Sequence, residues 1–133
     1  MYVQAKLDIY STGGELYGAP SQLGGTVVYY NTDITEAAGV DIDSIVTWDD
    51  YVAAGKQVLE KTGKPMTEIE TTDMAPFQAM VLQKGSDFLD AEGNVILDCE
   101  TNIELLEYLK SWMDDGIAIP MPGGGNASEI FYE

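Results

Sequence analysis

The sequence predicts an α/β domain in which short strands alternate with helices. Runs of β-branched and aromatic residues, such as Thr26–Tyr30, alternate with segments of helical periodicity. Capping residues and glycines mark the boundaries between these segments. With 133 residues, of which 45% are apolar, the chain is large enough for one buried core. We therefore expect a single domain over residues 1–133.

The charge of the chain restricts its partners. Six basic and 23 acidic residues give a net charge of −17, which repels nucleic acid and anionic membrane surfaces. We interpret this acidity as a soluble surface rather than a site for a cationic ligand. No apolar run approaches the ~20 residues of a membrane-spanning helix. The segment Met1–Lys6 lacks the pattern of a secretory signal, so an exported parent protein would carry its signal upstream or have lost it.

Two strands and a helix are predicted within the first forty residues. Glu15–Pro20 is predicted as a short strand and Thr26–Tyr30 as a buried one. A helix is predicted from Thr32 to Ala38, because Asn31 or Thr32 can cap its first amides. Gly39 can adopt the left-handed conformation that ends a helix.

A second helix is predicted to begin at Thr47 and to end at Gly63. The Thr47 hydroxyl can cap free amides, and the carboxylates of Asp49 and Asp50 favour the positive end of the helix dipole. Its buried stripe is predicted to comprise Tyr51, Val52, Gly55, Val58 and Leu59.

A strand, a helix and a hairpin are predicted next. Pro65–Thr71 has the composition of a strand, and a helix is expected from about Asp73 to near Gly85. Its inward residues are predicted to be Phe77, Met80 and Val81. Asp90–Asn94 lies between two short apolar runs, which predicts a β-hairpin.

The last predicted helix begins at Thr101 and ends at Gly116. Thr101 and Glu104 have the spacing of a capping box. The buried stripe is predicted to comprise Ile103, Leu106, Leu109 and Met113. Pro120–Asn126 is predicted as a loop. Its three glycines, at 123–125, suggest a flexible connection because the Lys-Ser/Thr pair of a phosphate-binding loop is missing.

The sequence predicts no catalytic residue, metal site or cofactor. The absence of histidine removes the usual proton shuttle and the commonest zinc ligand. Catalysis would depend on carboxylates, but neighbouring helical residues such as Asp49 and Asp50, or Asp114 and Asp115, diverge in direction. We interpret both pairs as caps and solvated faces. Asp41–Val46 departs from the calcium-loop pattern after two ligands.

Candidate ligand-binding residues follow from position. In α/β domains, ligands bind at the carboxyl ends of strands and at helix N-termini. The segments that fit supply six candidates: Ser21, Gln22, Thr72, Asp73, Met74 and Phe77. Hydroxyl, amide, carboxylate and aromatic groups together suit a sugar, which has both hydroxyls and an apolar face. The alternative, that Asp73 is a helix N-cap and Phe77 a core residue, stays open.

The order of four motifs resembles a known family. The four motifs are Gly14–Pro20, Val28–Ile34, Ala38–Asp41 and Thr47–Tyr51. Their residue patterns and spacing are similar to those of extracellular solute-binding proteins of carbohydrate ABC importers. The resemblance implies a periplasmic-binding-protein-like α/β fold of type II. It also implies that the chain is one partial lobe, with a hinge crossing at about residues 13–31 and part of the second lobe at residues 32–133.

The resemblance further implies a mode of action. Two lobes would close about the hinge on an extracellular solute, most plausibly a sugar or oligosaccharide, and present it to ABC permease subunits. The parent protein would be a membrane-anchored lipoprotein or periplasmic, and the six candidates would face the cleft between the lobes. Two other functions remain open: a fragment of a carboxylate-based glycosidase, or a binding protein for a peptide or polyamine. An exposed sheet edge would also allow the isolated chain to self-associate.

Overall fold

The computed structural model describes residues 4–22 and 24–121. Within these residues lie five α-helices, four β-strands and one turn of 3₁₀ helix at Ile42–Ser44. The helices and strands are α1 (Gln4–Ile9), β1 (Ser11–Thr12), β2 (Glu15–Leu16), α2 (Thr32–Ala38), α3 (Trp48–Thr62), β3 (Thr67–Glu70), α4 (Ala75–Gln83), α5 (Glu100–Asp114) and β4 (Ala118–Met121). None of the helices in the described ranges has both the length and the apolar character needed to cross a membrane.

Helices α2 and α3 begin and end where the sequence predicts. The Asn31 side chain accepts hydrogen bonds from two backbone amides at the start of α2. Thr47 and Asp50 cap α3 reciprocally, each side chain bonding to the backbone amide of the other residue. Gly39 and Gly63 end the two helices with φ angles of 69° and 71°. Local capping chemistry therefore defines this part of the fold.

The sheet that organises the core is a parallel pair, β3 with β4. Thr67 aligns with Ala118 and Glu70 with Met121, and helices α4 and α5 lie in the connection between the strands. The prediction of a loop from Pro120 is wrong for Pro120 and Met121, which belong to β4. Proline is tolerated here because, among the residues that the structure describes, neither strand of this sheet is flanked on both sides. The remainder of that predicted loop, with its three glycines, lies outside the described residues.

The buried strand predicted at Thr26–Tyr30 is wrong. This segment has no regular secondary structure, and Val27, Val28 and Tyr29 are 63%, 63% and 81% exposed. Strand propensity reflects packing against neighbouring strands, and no described strand lies beside this segment. The strand predicted at Glu15–Pro20 is reduced to β2, which forms a small antiparallel hairpin with β1.

The predicted hairpin around Asp90–Asn94 is present in a minimal form. Leu89 and Val95 form an isolated antiparallel bridge. The Asp90 amide donates to the Asn94 carbonyl at 2.9 Å, and the Asp90 carboxylate accepts from the Asn94 amide at 2.7 Å. The turn is held by this local network, while the flanking strands remain too short to form a ladder.

The buried face of α5 differs from the predicted stripe. Ile103 and Leu106 are 45% and 52% exposed, whereas Asn102, Leu105 and Trp112 are buried. Leu109 and Met113, also predicted, are half-buried against the core. Apolar residues lie around most of this helix, so hydrophobic periodicity alone cannot determine which side faces inward.

The start of α5 explains its orientation. The predicted capping box at Thr101 is wrong, because the N-cap is Cys99 and no side chain caps the helix. Asn102, fully buried, accepts from the Ser86 hydroxyl at 3.1 Å. Its amide nitrogen donates to the carbonyls of Asp87 and Ile96 at 3.1 and 3.2 Å. These bonds tie the helix to the hairpin and turn Asn102 inward, since a buried amide must be hydrogen-bonded.

The core lies between α3, α4, α5 and one face of the β3–β4 sheet. Its buried members are Met80, Val81, Leu105, Trp112, Ile117 and Ala118. Three rings surround Trp112, with centroid distances of 5.4 to 5.7 Å: Trp48, Tyr51 and Tyr108. Gly55 of α3 allows Ile117 to approach closely, because a Cβ at Gly55 would lie 3.2 Å from the Ile117 Cβ.

Candidate functional site

The residues from Thr71 to Met74 leave the carboxyl end of β3 and lead into α4. The Thr71 amide and hydroxyl both donate to the Met121 carbonyl, at 3.0 and 3.2 Å. The side chains of Thr72, Asp73 and Met74 are exposed. The fold therefore presents a hydroxyl, a carboxylate and a thioether at the carboxyl-terminal edge of a parallel strand pair, where α/β domains commonly bind ligands. We call Thr71–Met74 the edge segment.

The N-terminus of α4 borders the edge segment. The N-cap residue is Met74, whose side chain makes no capping hydrogen bond. Asp73 therefore precedes the N-cap position, in contrast to the alternative assignment made from the sequence. Pro76 lies in the first turn, where a missing amide hydrogen removes no intrahelical bond.

Phe77 is directed towards the protein interior. Its ring stacks on Phe88 with a centroid distance of 5.9 Å and an interplanar angle of 22°. Both rings are half-buried against the core. Of the six candidate residues, Phe77 has the strongest structural role, and its position fits the core alternative that the sequence left open.

Ser21 and Gln22 lie in a different part of the chain, in the irregular stretch between β2 and α2. Both side chains are exposed. Neither makes a hydrogen bond to the edge segment within residues 4–22 and 24–121. The ligand-binding role of each residue stays a prediction.

Two carboxylates next to the edge segment were not found by sequence reasoning. Glu68 and Glu70 share the face of β3 opposite to Ile69, which packs against the core. Glu70 accepts a hydrogen bond from the Thr72 hydroxyl at 3.1 Å. The alternation of Glu with Thr and Ile over residues 67–70 is the signal that places both carboxylates on one face.

Glu68 has an unusual environment for an acidic side chain. Its Oε2 atom is shielded from solvent and has no hydrogen-bond partner within the described part of the chain. Burial, followed by repulsion from the Glu70 carboxylate, raises the pKa of Glu68 from its ordinary value. This face of the sheet therefore carries an electrostatic cost when both carboxylates are ionised.

A groove of about 940 Å³ lies beside the N-terminus of α3 and is lined partly by Trp48, Asp49, Gln83 and Tyr108. Its main polar groups already bind one another. The Tyr108 hydroxyl donates to Asp49 at 2.8 Å, and the Trp48 indole nitrogen donates to Gln83 at 2.8 Å. Burial, with a smaller effect of Asp49, raises the pKa of Tyr108 to about 12. These pairings join α3 to α4 and to α5 and so stabilise the packing of the helices.

The adjacent acidic pairs have the structural roles predicted for them. Asp50 caps α3, and the Thr47 hydrogen bonds lower its pKa. Asp114 pairs with Lys110, and Asp115 lies 2.7 Å from Lys56. No group of three or more potential metal-ligating His, Cys, Asp or Glu side chains occurs in the ranges that the structure describes.

Comparison with known proteins identifies related sequences. The family model for bacterial extracellular solute-binding proteins matches residues 2–130. The arabinooligosaccharide-binding protein of Bacillus subtilis (strain 168) is 47% identical over 131 residues, which cover 98% of this chain and 30% of that protein. Its namesake from Halalkalibacterium halodurans is 49% identical over 133 residues, covering 99% of this chain and 30% of that protein.

A solved structure supports the same relationship. The cyclic alpha-maltosyl-1,6-maltose binding protein from Arthrobacter globiformis superposes with a TM-score of 0.61 and 30% sequence identity. The match covers 71% of this chain and 27% of that structure. The predicted fold class, a partial periplasmic-binding-protein-like α/β lobe, is confirmed.

The α/β fold and these matches point to one class of bacterial proteins. The chain belongs to the family of bacterial extracellular solute-binding proteins. It spans about 30% of the length of the two arabinooligosaccharide-binding proteins. The family match and these relatives confirm the resemblance to the carbohydrate-type family.

Proposed function

We propose that this chain is part of the substrate-binding component of an ABC importer and that the whole protein captures an extracellular oligosaccharide. The observation that carries this proposal is the match of 98% and 99% of the chain to two arabinooligosaccharide-binding proteins, at 47% and 49% identity. A 27% identical relative from Rhizobium radiobacter is a lactose-binding protein. An arabinose oligosaccharide is accordingly the first ligand to test.

The chemistry of the edge segment supports a sugar ligand. Its exposed hydroxyl and carboxylate can accept hydrogen bonds from sugar hydroxyls, while the Met74 thioether offers an apolar contact. We include Ser21 and Gln22 in the proposed site as residues of the connecting region, and Phe77 as the ring behind the edge segment. All six act in the whole protein, where a second lobe would supply the opposing contacts.

Capture requires movement between two lobes. In this proposal, residues 13–31 contain the hinge crossing and residues 32–133 form part of the second lobe. The irregular backbone between β2 and α2 fits a connecting role, because a hinge must absorb changes in φ and ψ. The closed form is then presented to the permease subunits of the importer, from a periplasmic or lipid-anchored position.

The proposed function is binding without catalysis. A glycosidase needs two carboxyl groups about 5 to 9.5 Å apart across the scissile bond. The adjacent acidic pairs at the start of α3 and the end of α5 already have other partners. Asp50 caps α3, and Asp49 accepts a hydrogen bond from a tyrosine hydroxyl. Asp114 and Asp115 each pair with a lysine. Their roles in stability favour a transport receptor over a hydrolase.

Calorimetric titration of the whole protein tests the proposal. Arabinotriose, lactose, maltotriose, spermidine and a short peptide form the ligand panel, and chromatography of the same samples detects cleavage. We expect micromolar or tighter binding of arabinotriose, about −8 kcal/mol or better, without product. Cleavage of any sugar would overturn the proposal, and binding of spermidine or peptide alone would move the ligand to another class.

Two controls sharpen this experiment. The 133-residue chain alone offers half of the contacts and no closure, so we expect its affinity to be at least about 100-fold weaker. Thr72→Val in the whole protein should weaken binding about fivefold, which corresponds to one hydrogen bond. Thr12→Val, at an equally exposed threonine of β1, should leave the affinity unchanged.

A further inference from the structure

We propose that Glu70 is a positioning residue for the edge segment: it orients the Thr72 hydroxyl so that this hydroxyl accepts a hydrogen bond from a ligand hydroxyl. The proposal rests on the proposed function, because it assigns a ligand contact to Thr72. Glu70 was not among the residues expected from the sequence, and its role follows from the contacts around the end of β3.

The backbone on both sides of Glu70 is fixed. Glu70 is the last residue of β3 and aligns with Met121 in the parallel sheet. Thr71 is held to the Met121 carbonyl through both its amide and its hydroxyl. The backbone of Glu70 is therefore held at a rigid strand end. Such rigidity is needed if its carboxylate is to orient a neighbouring side chain.

The contact between Glu70 and Thr72 has a fixed polarity. The Thr72 Oγ1 atom lies 3.1 Å from Glu70 Oε1, and an ionised carboxylate can only accept a hydrogen bond. The single proton of the Thr72 hydroxyl is therefore committed to Glu70. Because the carboxylate has no proton to donate, this is the orientation that the Thr72 hydroxyl adopts in the contact.

The committed proton determines the class of ligand group that Thr72 can bind. Its remaining lone pairs face outward on an exposed side chain and can only accept. A sugar hydroxyl, which can donate, satisfies this arrangement. A ligand carboxylate or carbonyl oxygen has no proton to donate and would also lie near the negative Glu70. The arrangement thus selects a ligand group that can donate a hydrogen bond.

Double-mutant analysis of the whole protein tests this role, with arabinotriose as the titrated ligand. Gln can present either its carbonyl oxygen or its amide group to Thr72, so Glu70→Gln removes the fixed polarity. We expect Glu70→Gln and Thr72→Val each to weaken binding about fivefold. The double variant should bind as Thr72→Val does, because Glu70 acts only through Thr72. Thr72→Ser keeps the hydroxyl and should remain sensitive to Glu70→Gln.

The outcomes separate this inference from the proposed function. Fivefold losses that multiply in the double variant would show that Glu70 acts on folding or on another contact, and would overturn the positioning role. An unchanged affinity of either single variant would overturn it as well. If the unmodified protein binds none of the sugars, the proposed function fails together with the inference. Glu92→Gln, at an exposed glutamate of the hairpin turn, is the matched control and should bind normally.

Discussion

Residues 24–31 and helix α3 are both rich in apolar and aromatic side chains, yet only α3 contributes to the core. In α3, Val58 is fully buried, and Trp48 and Tyr51 pack around Trp112. In residues 24–31, Val27, Val28 and Tyr29 are mostly exposed. The two segments differ in what lies beside them. Helix α3 contacts Trp112 of α5 and Ile117, the residue before β4, whereas no described strand pairs with residues 24–31.

The comparison shows that an apolar segment becomes core only where a second layer of structure covers it. Residues 24–31 contain no charged side chain and no proline, so they have the composition of a strand that can pair with another. The chain matches only 30% of the length of its relatives, and in our proposal this segment is the crossing between two lobes. Its exposed valines and tyrosines suit contacts outside the described core.

The largest expected difference between the two regions comes from removing one aromatic ring. Trp112→Ala should destabilise the chain by about 3–5 kcal/mol, because it leaves a cavity surrounded by three rings. Tyr29→Ala should change the stability by less than about 0.5 kcal/mol. Urea denaturation followed by circular dichroism measures both.

A milder substitution covers the case in which Trp112→Ala fails to fold. Ile117→Val, at a fully buried position, should cost about 0.5–1.5 kcal/mol. A loss above about 1 kcal/mol for Tyr29→Ala would contradict the comparison, since it would mean that residues 24–31 are packed in solution.

A smaller effect is expected from two glycines. Gly55→Val should cost about 1–3 kcal/mol, because even a Cβ at this position lies 3.2 Å from Ile117. Gly25→Val should be nearly neutral, since no atom lies within 4 Å of a Cβ there. The difference in denaturation midpoint between these variants measures how closely each region is packed, and equal midpoints would contradict the close approach of α3 to Ile117.

The smallest effect concerns the pH dependence of the packed region. The pKa of Glu68 is raised from its ordinary value of 4.5, so the folded state loses stability as the pH rises above 4.5 and Glu68 ionises. Glu68→Gln should therefore increase the free energy of unfolding at pH 7, by a small amount because solvent screens much of the repulsion from Glu70. The gain should vanish near pH 3.5, where Glu68 is protonated in both states.

The exposed Glu107 of α5 offers a matched control for this experiment. Glu107→Gln should change the stability by less than about 0.5 kcal/mol at both pH values. A gain for Glu68→Gln that is equally large at pH 3.5 would point to packing rather than to ionisation as its cause.

Sequence reasoning located the elements whose boundaries depend on local chemistry. Helices α2 and α3 were predicted with their caps, because Asn31, Thr47 and the terminal glycines act on amides and carbonyls within a few residues. The hairpin turn at Asp90–Asn94 was predicted for the same reason. The position of the edge segment followed from the rule that ligands bind at the carboxyl ends of strands.

Features that depend on distant contacts were not predictable in this way. The inward face of α5 is determined by Asn102, whose partners lie 6 to 16 positions away. The strand β4 was missed because Pro120 suggests a loop until its partner β3 is known. At the site, the hydrogen bond from Thr72 to Glu70 could be found only from the geometry of the strand end.

The parallel pairing of β3 with β4 also has a consequence for the order of folding. The hydrogen bond from the Thr71 hydroxyl to the Met121 carbonyl joins residues 50 positions apart. Closing so long a loop is entropically unfavourable, and contacts of this separation slow folding. The edge segment depends on this contact, so it should acquire its structure late. During synthesis on the ribosome, it would remain unstructured until β4 has emerged from the exit tunnel.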